Sequence, residues 1–155
     1  MLTPGFAASA LIATSIALAG CVSPVASDST ASPLAGTQWS LVQMTSMDDA
    51  QPPVRPSDSG RYTLSFSADG RASMMLDCNR GNSTWTSTGN GEAGSIAFGP
   101  IATTRVMCPP ASIGDRLARQ LADVRGYRLQ NGNLHLSLMA DAGILTWEPV
   151  NAASR

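Results

Sequence analysis

Three cysteines, a single histidine and ten arginines carry most of the reactive chemistry in this 155-residue chain, and it has no lysine. Without lysine there is no Schiff base, no phosphate-loop NTPase site and no Ser-Lys dyad. The lone histidine, His135, excludes a histidine-rich metal centre. Cys78 and Cys108, with Met74, Met75 and Met107 close by in sequence, are soft donors of the kind that suits Cu(I). Methionine is also the common filler of apolar cores. Strand alternation sets Met74 and Met75 on opposite faces, which counts against one shared site. The cysteine pair therefore has three readings: a structural disulfide, two buried thiols, or a soft-metal or thiol-redox site. Arg80 and Arg105 stand close to the two cysteines. If those pair, the guanidiniums come near one another and meet Asp77, as a salt bridge or as a patch that docks an anion or a partner. His135 sits between Leu134 and Leu136, where an outward-facing structural role is expected and no nucleophile, base and orienting group follow one another. No His-Glu-x-x-His or Gly-x-Ser-x-Gly motif occurs. With a formal charge of −1 and no basic run, nucleic acid is not an expected partner.

The first 27 residues carry no charge, and Phe6 to Ala19 is a run of Phe, Ala, Leu, Ile, Ser and Thr. Fourteen helical residues span about 21 Å, too short for a bilayer core of about 30 Å. The length suits the apolar core of a signal peptide over residues 1–20. Leu18-Ala19-Gly20-Cys21 resembles the lipobox of bacterial lipoproteins. The resemblance implies cleavage before Cys21, a diacylated sulfur and an acylated new amine. Three acyl chains at about 0.8 kcal/mol per buried CH₂ would make the attachment effectively permanent. Val22, not Asp, follows the cysteine; by the sorting rule of enteric bacteria this points to the outer membrane. Residues 21–35 are rich in Ser, Pro, Ala and Thr and read as a flexible lipidated tether. Asn82-Ser83-Thr84 matches a glycosylation acceptor, which this bacterial context sets aside. In an oxidising periplasm two thiols of one small domain usually pair, so a Cys78–Cys108 disulfide is expected.

The elements that must position these residues are mostly strands. Trp39 and Leu41, then Tyr62, Leu64 and Phe66, alternate with polar residues. Asp69-Gly70 supplies a hairpin turn before Arg71 to Leu76, and Asn131-Gly132-Asn133 supplies another before Leu134 to Leu138. Ser83 to Thr86, Ser95 to Phe98 and Ile144 to Trp147 complete the strand set. Alternation directs Trp39, Trp85 and Trp147 into the core. One amphipathic helix is expected over about 112–125. Ser112 and Asp115 form its capping box, Ile113, Leu117, Leu121 and Val124 its apolar stripe, and Gly126 its C-terminal stop. The Pro-rich segment from Thr45 to Gly60 is long for a compact domain and is expected to lack fixed structure. The fold class is mainly β (α+β): a small curved antiparallel sheet or partly open β-barrel over residues 36–150, with the helix inserted before the last hairpins.

Asp77-Cys78-Asn79-Arg80 and Thr103-Thr104-Arg105-Val106-Met107-Cys108-Pro109, between the Trp39 strand and the helix, resemble the META domain in its HslJ-like lipoprotein form. The resemblance covers roughly Leu34 to Pro149 and lacks an expected glycine near Asp77. It implies a helix-containing β-barrel of the Gram-negative envelope, with links to stress tolerance, secretion or motility. It implies no catalytic residue and no cofactor. The expected function is non-enzymatic binding or scaffolding at the periplasmic face of the outer membrane. The membrane is engaged through the lipid, and an envelope protein or peptide is the expected partner. The alternatives are a carrier holding a small apolar ligand or acyl chain inside the barrel, and the soft-metal or thiol-redox site at Cys78 and Cys108.

Overall fold

The computed structural model describes residues 31–89 and 91–150. The expected signal peptide, Cys21 and most of the expected tether lie outside the described residues. Nine strands run Gln38–Ser46 (β1), Tyr62–Phe66 (β2), Arg71–Leu76 (β3), Asn79–Thr88 (β4), Ala93–Phe98 (β5), Ala102–Thr103 (β6), Val124–Gln130 (β7), Asn133–Leu138 (β8) and Gly143–Pro149 (β9). One helix, α1, spans Gly114–Ala122. All pairings are antiparallel, in the order β3-β2-β1-β9-β8-β7-β5-β4, and β4 returns to β3. The expected curved or partly open sheet is a closed eight-stranded barrel, in which β6 continues β5 along the same edge of β4.

Alternation is the cause of the inward face. Tyr62, Leu64 and Phe66 on β2, Leu134, Leu136 and Leu138 on β8, and Leu145 and Trp147 on β9 are all buried. Phe66 meets Trp85 edge-on with ring centroids 4.9 Å apart, and stacks near Phe98 at 6.0 Å. All three tryptophans are buried, as their strand positions require. The core also takes Leu34. The last residues of the segment read as tether therefore belong to the fold, with Gly36 N–H bonded to the Phe66 carbonyl at 2.7 Å.

The β7–β8 turn matches its sequence signal. Asn131 and Gly132 both hold positive φ, +53° and +79°, between the paired Gln130 and Asn133. This is the turn that the right-handed strand twist favours and that few residue pairs tolerate.

The helix is shorter than its pattern suggests. Ile113, not Ser112, precedes it, and the Ser112 hydroxyl accepts the Gly114 N–H at 3.3 Å instead of closing a box with Asp115. Tyr62 Oη fixes the entry by accepting the Ile113 N–H at 3.2 Å. Val124 and Arg125 leave the helix and start β7, and Gly126 sits within that strand at a bulge opposite Ser137. Val124 fits the helical stripe and the strand's inward face equally well, and pairing with Leu138 decides for the strand. Arg125 closes the helix end, donating to the carbonyls of Ala122 and Val124 at 3.0 and 2.7 Å.

The Thr45–Gly60 segment has fixed structure, contrary to expectation. Val54 forms a two-bond bridge with Met44 (2.8 and 2.9 Å), and Arg55 reaches the Gln43 side chain at 2.8 Å. β2 pairs only with residues 38–40 of β1, so this segment covers the edge that β2 leaves open. Asp48 folds its start: it accepts from Gln51 Nε2 at 2.9 Å and Ala50 N–H at 3.0 Å, and these bonds hold its carboxyl below the usual range.

Strand directions give the barrel two distinct ends. Residues 31–37, the turns at 67–70 and 131–132, and Val150 lie at one end. The β3–β4 turn, β6, α1 and the β8–β9 connection lie at the other. A strand the length of β1 separates them by about 25 Å at 3.3 Å per residue.

Candidate functional site

The β3–β4 turn has two residues, Asp77 and Cys78, between the paired Leu76 and Asn79. Asp77 holds φ +66°, the conformation a glycine would fill at this turn. Its side chain is 5% exposed and its Oδ1 lies 2.6 Å from Nη2 of Arg61. The expected partners of Asp77 were Arg80 and Arg105; Arg61 takes it instead. Arg61 stands next to Tyr62, the residue that pairs with Leu76 across β2 and β3, and this register brings its side chain to the turn.

Cys78 is bonded to Cys108, with Cα atoms 5.6 Å apart. The bridge ties the β3–β4 turn to the segment between β6 and α1. Beside it, Asn79 is buried and reaches the same segment with its side-chain amide. Its Oδ1 accepts from the Val106 N–H at 2.7 Å and from the Thr104 hydroxyl at 3.0 Å. Its Nδ2 donates to the Val106 carbonyl at 3.0 Å and lies 3.2 Å from Cys108 Sγ. The amide thus imitates a strand partner for one residue, as an amide matched to a peptide group does. Thr104 Oγ1 in turn accepts the Arg80 N–H at 3.0 Å. The two motif segments are one structure: the Cys-Asn pair holds the Thr-x-x-x-Cys loop. Asn79 and Thr104 belong to the two segments that carry the family resemblance, but the sequence assigns them no role, because their bonds exist only once the turn and the loop are adjacent.

The loop held in this way is exposed. Val106 is 60% and Met107 97% solvent-accessible, an uncommon setting for two apolar side chains on a tied segment. Between this loop and α1 opens a cleft of ≈ 590 Å³. Ile101, Thr103 and Arg105 line one wall, and Asp115, Ala118 and Arg119 the other. The helix wall follows from the 3.6-residue period, which sets 115, 118 and 119 on one face while Leu117 and Leu121 point into the core. Arg105 and Arg119 are exposed, so each is free to meet an anion. Arg80 lines a separate cleft on the outer face of β2, β3 and β4, with Thr63, Ser73 and Met75. Arg80 and Arg105 line different clefts, and Arg105 shares its own with Arg119.

The soft side chains do not converge. Met74 is buried inside the barrel, Met75 faces the outer cleft, Met107 projects into solvent, and the cysteine sulfurs are bonded to each other. Among the described residues no group of three or more His, Cys, Asp and Glu is placed to hold a metal. His135 is half-buried, and its Nδ1 lies 3.4 Å from Thr146 Oγ1 on the neighbouring strand.

Comparison with known proteins fits this geometry. The family model for the META domain matches residues 32–150. No curated protein matches. Among solved structures the chain is similar to a protein from Burkholderia xenovorans determined by NMR. The TM-score is 0.62 at 22% identity, covering 76% of this chain and 84% of that one. It is also similar to a DUF4847 family protein from Bacteroides vulgatus ATCC 8482. There the TM-score is 0.51 at 14% identity, covering 75% of this chain and 94% of that one. At these identities the likeness shows the fold alone.

Proposed function

The chain belongs to the META domain family, and on that premise we propose that it is a lipid-anchored binding or scaffolding protein at the periplasmic face of the Gram-negative outer membrane. Cys21 carries the lipid, and the barrel acts by contact, not by catalysis, in envelope assembly or stress tolerance.

The observation that carries this reading is the polarity of the barrel. Residue 31, the end nearest Cys21, lies at one end, and the disulfide-held loop and the cleft lie at the other. A tether attached there leaves the cleft at the end of the barrel farther from the point of attachment. The exposed Val106 and Met107 then face the periplasm, as an interaction surface requires.

The interior favours contact over carriage. Leu41, Leu64, Leu136, Leu145 and Trp147 are fully buried and belong to one contiguous cluster that also takes in α1. An acyl chain would have to displace that packing, whereas carriers keep a preformed apolar cavity. His135 lies 3.4 Å from the Thr146 hydroxyl across the paired strands β8 and β9, a contact within the barrel wall that supports a structural role for it.

The anchor is tested by mass spectrometry of protein purified from membranes. The mature chain is expected to begin at Cys21 with a thioether-linked diacylglycerol and an amide-linked acyl chain. Cys21→Ala is expected to move the protein entirely to the soluble fraction. A chain still starting at Met1, or an unmodified Cys21, contradicts the reading.

A further inference from the structure

We infer that the free edge of β6 takes an extended acidic segment of another protein by strand addition in the cleft beside α1. The inference rests on the contact role proposed above and specifies how that contact is made.

The barrel is not uniform around its circumference. β5 pairs with β7 only through residues 93–95. Above that point β5 continues through a kink into β6, which pairs on one side with Gly81 and Asn82 of β4. Among the described residues β6 pairs with β4 alone, so its other edge has no strand partner. The direction of its unused groups follows from the antiparallel pattern. Ala102 faces Asn82 as a hydrogen-bonded pair, and the Thr104 N–H donates to the Arg80 carbonyl at 2.9 Å. Thr103 lies between these two positions, so its own N–H and C=O point away from β4, toward the free edge. An exposed edge of this kind templates another strand unless something blocks it. β6 itself carries no charge and no proline, and the edge it presents is short: the N–H and C=O of Thr103.

The walls select the chemistry of the added strand. Arg105 follows β6 directly, and Arg119 faces it from α1; both are exposed. Among the described residues Asp115 is the one acidic residue that lines this cleft, so two guanidiniums against one carboxylate leave its walls with one positive charge in excess. Ala118, half-buried, leaves room at the centre of the helix wall, and Ile101 and Val106 offer apolar surface. The matching occupant is an extended segment that alternates acidic and apolar residues. Its backbone bonds to Thr103, its carboxylates meet Arg105 and Arg119, and its apolar side chains cover Ile101 and Val106. Main-chain bonds would supply affinity, and the alternate side chains specificity.

The test uses the full-length protein and three capped synthetic peptides: one alternating Glu and Val, one alternating Lys and Val, and the Glu-Val peptide N-methylated at alternate amides. NMR titration is expected to show saturable binding of the Glu-Val peptide, with the Thr103 amide shifted and its hydrogen exchange slowed. The Lys-Val and N-methylated peptides are each expected to bind at least about tenfold more weakly. Thr103→Pro removes the donor on the free edge and leaves the β4 bonds in place; it is expected to abolish binding while thermal unfolding stays unchanged. Should that variant not fold, the N-methylated peptide on the unaltered protein decides the question alone. Arg119→Glu is expected to narrow or reverse the preference for Glu-Val over Lys-Val.

Three results overturn the inference: N-methylated or Lys-Val peptide binding as tightly as Glu-Val, no saturable binding by any peptide, or a concentration-dependent dimer that Thr103→Pro abolishes, which would make a second copy the occupant. If these peptides fail while crosslinks from Met107 persist in cells, strand addition falls and the contact role stands. If both fail, both fall.

Discussion

Replacing Cys78 and Cys108 together by serine is expected to destabilise the domain by about 3–4 kcal/mol, the loop-closure value for a separation of 30 residues. The corresponding fall in thermal midpoint is on the order of 10–15 °C for a domain of this size. The loss has a second, local part. The segment from Thr104 to Cys108 lies beyond β6, and without the bridge the side chain of Asn79 and the backbone of Arg80 hold it. Denaturant unfolding with and without reductant measures the global effect. Hydrogen exchange at Val106, whose N–H is bonded to Asn79 at 2.7 Å, measures the local one. A double variant within about 1 kcal/mol of the parent, with Val106 still protected, would make the bridge incidental.

Gly114→Ala is expected to cost about 2–3 kcal/mol, although alanine is the better helix former by about 1 kcal/mol. Gly114 opens α1 directly against the end of β3. A methyl group there would collide with the Leu76 carbonyl oxygen and crowd the carbonyl carbon at 3.0 Å. These atoms are backbone in a paired strand and cannot rotate away, so the helix must shift outward. Leu117 and Leu121, both fully buried, would then lose core contacts, and the helix wall of the cleft would move with them. The sign separates two accounts. If intrinsic propensity governed this position, alanine would stabilise; if the close approach governs, it destabilises. Equilibrium unfolding of the single variant gives the answer.

Much of this architecture is legible in the chain because its strands face a core on one side only. Period-two alternation put Trp39, Leu64, Phe66 and Leu136 inside, and Asn131-Gly132 could be assigned to its hairpin from residue type alone. The disulfide followed from compartment and count. Other features depend on contacts that no local pattern contains. Val124 satisfies a helix stripe and a strand face at once, and only its pairing with Leu138 places the helix end before it. β6 has two residues and no periodicity to detect. The order in the Thr45–Gly60 segment comes from Val54 meeting an edge that only the register of β1 and β2 leaves open. Arg61 as the partner of Asp77 is a consequence of the β2–β3 register, which sequence proximity obscured by favouring Arg80. The cleft is the extreme case. Its walls come from an edge strand and a helix brought together by barrel closure, and nothing in either segment alone marks them as facing.

On the proposed reading, the end of the barrel remote from residue 31 makes the functional contact. Photo-crosslinking in intact cells tests it most directly. A photoreactive residue replaces Met107 in the exposed loop, or Gln130 at the opposite end as a control. Discrete, saturable protein adducts are expected from Met107 and none from Gln130, and they are expected to disappear when Arg119→Glu is added. A silent Met107 position, or adducts that form equally from Gln130, would contradict the account.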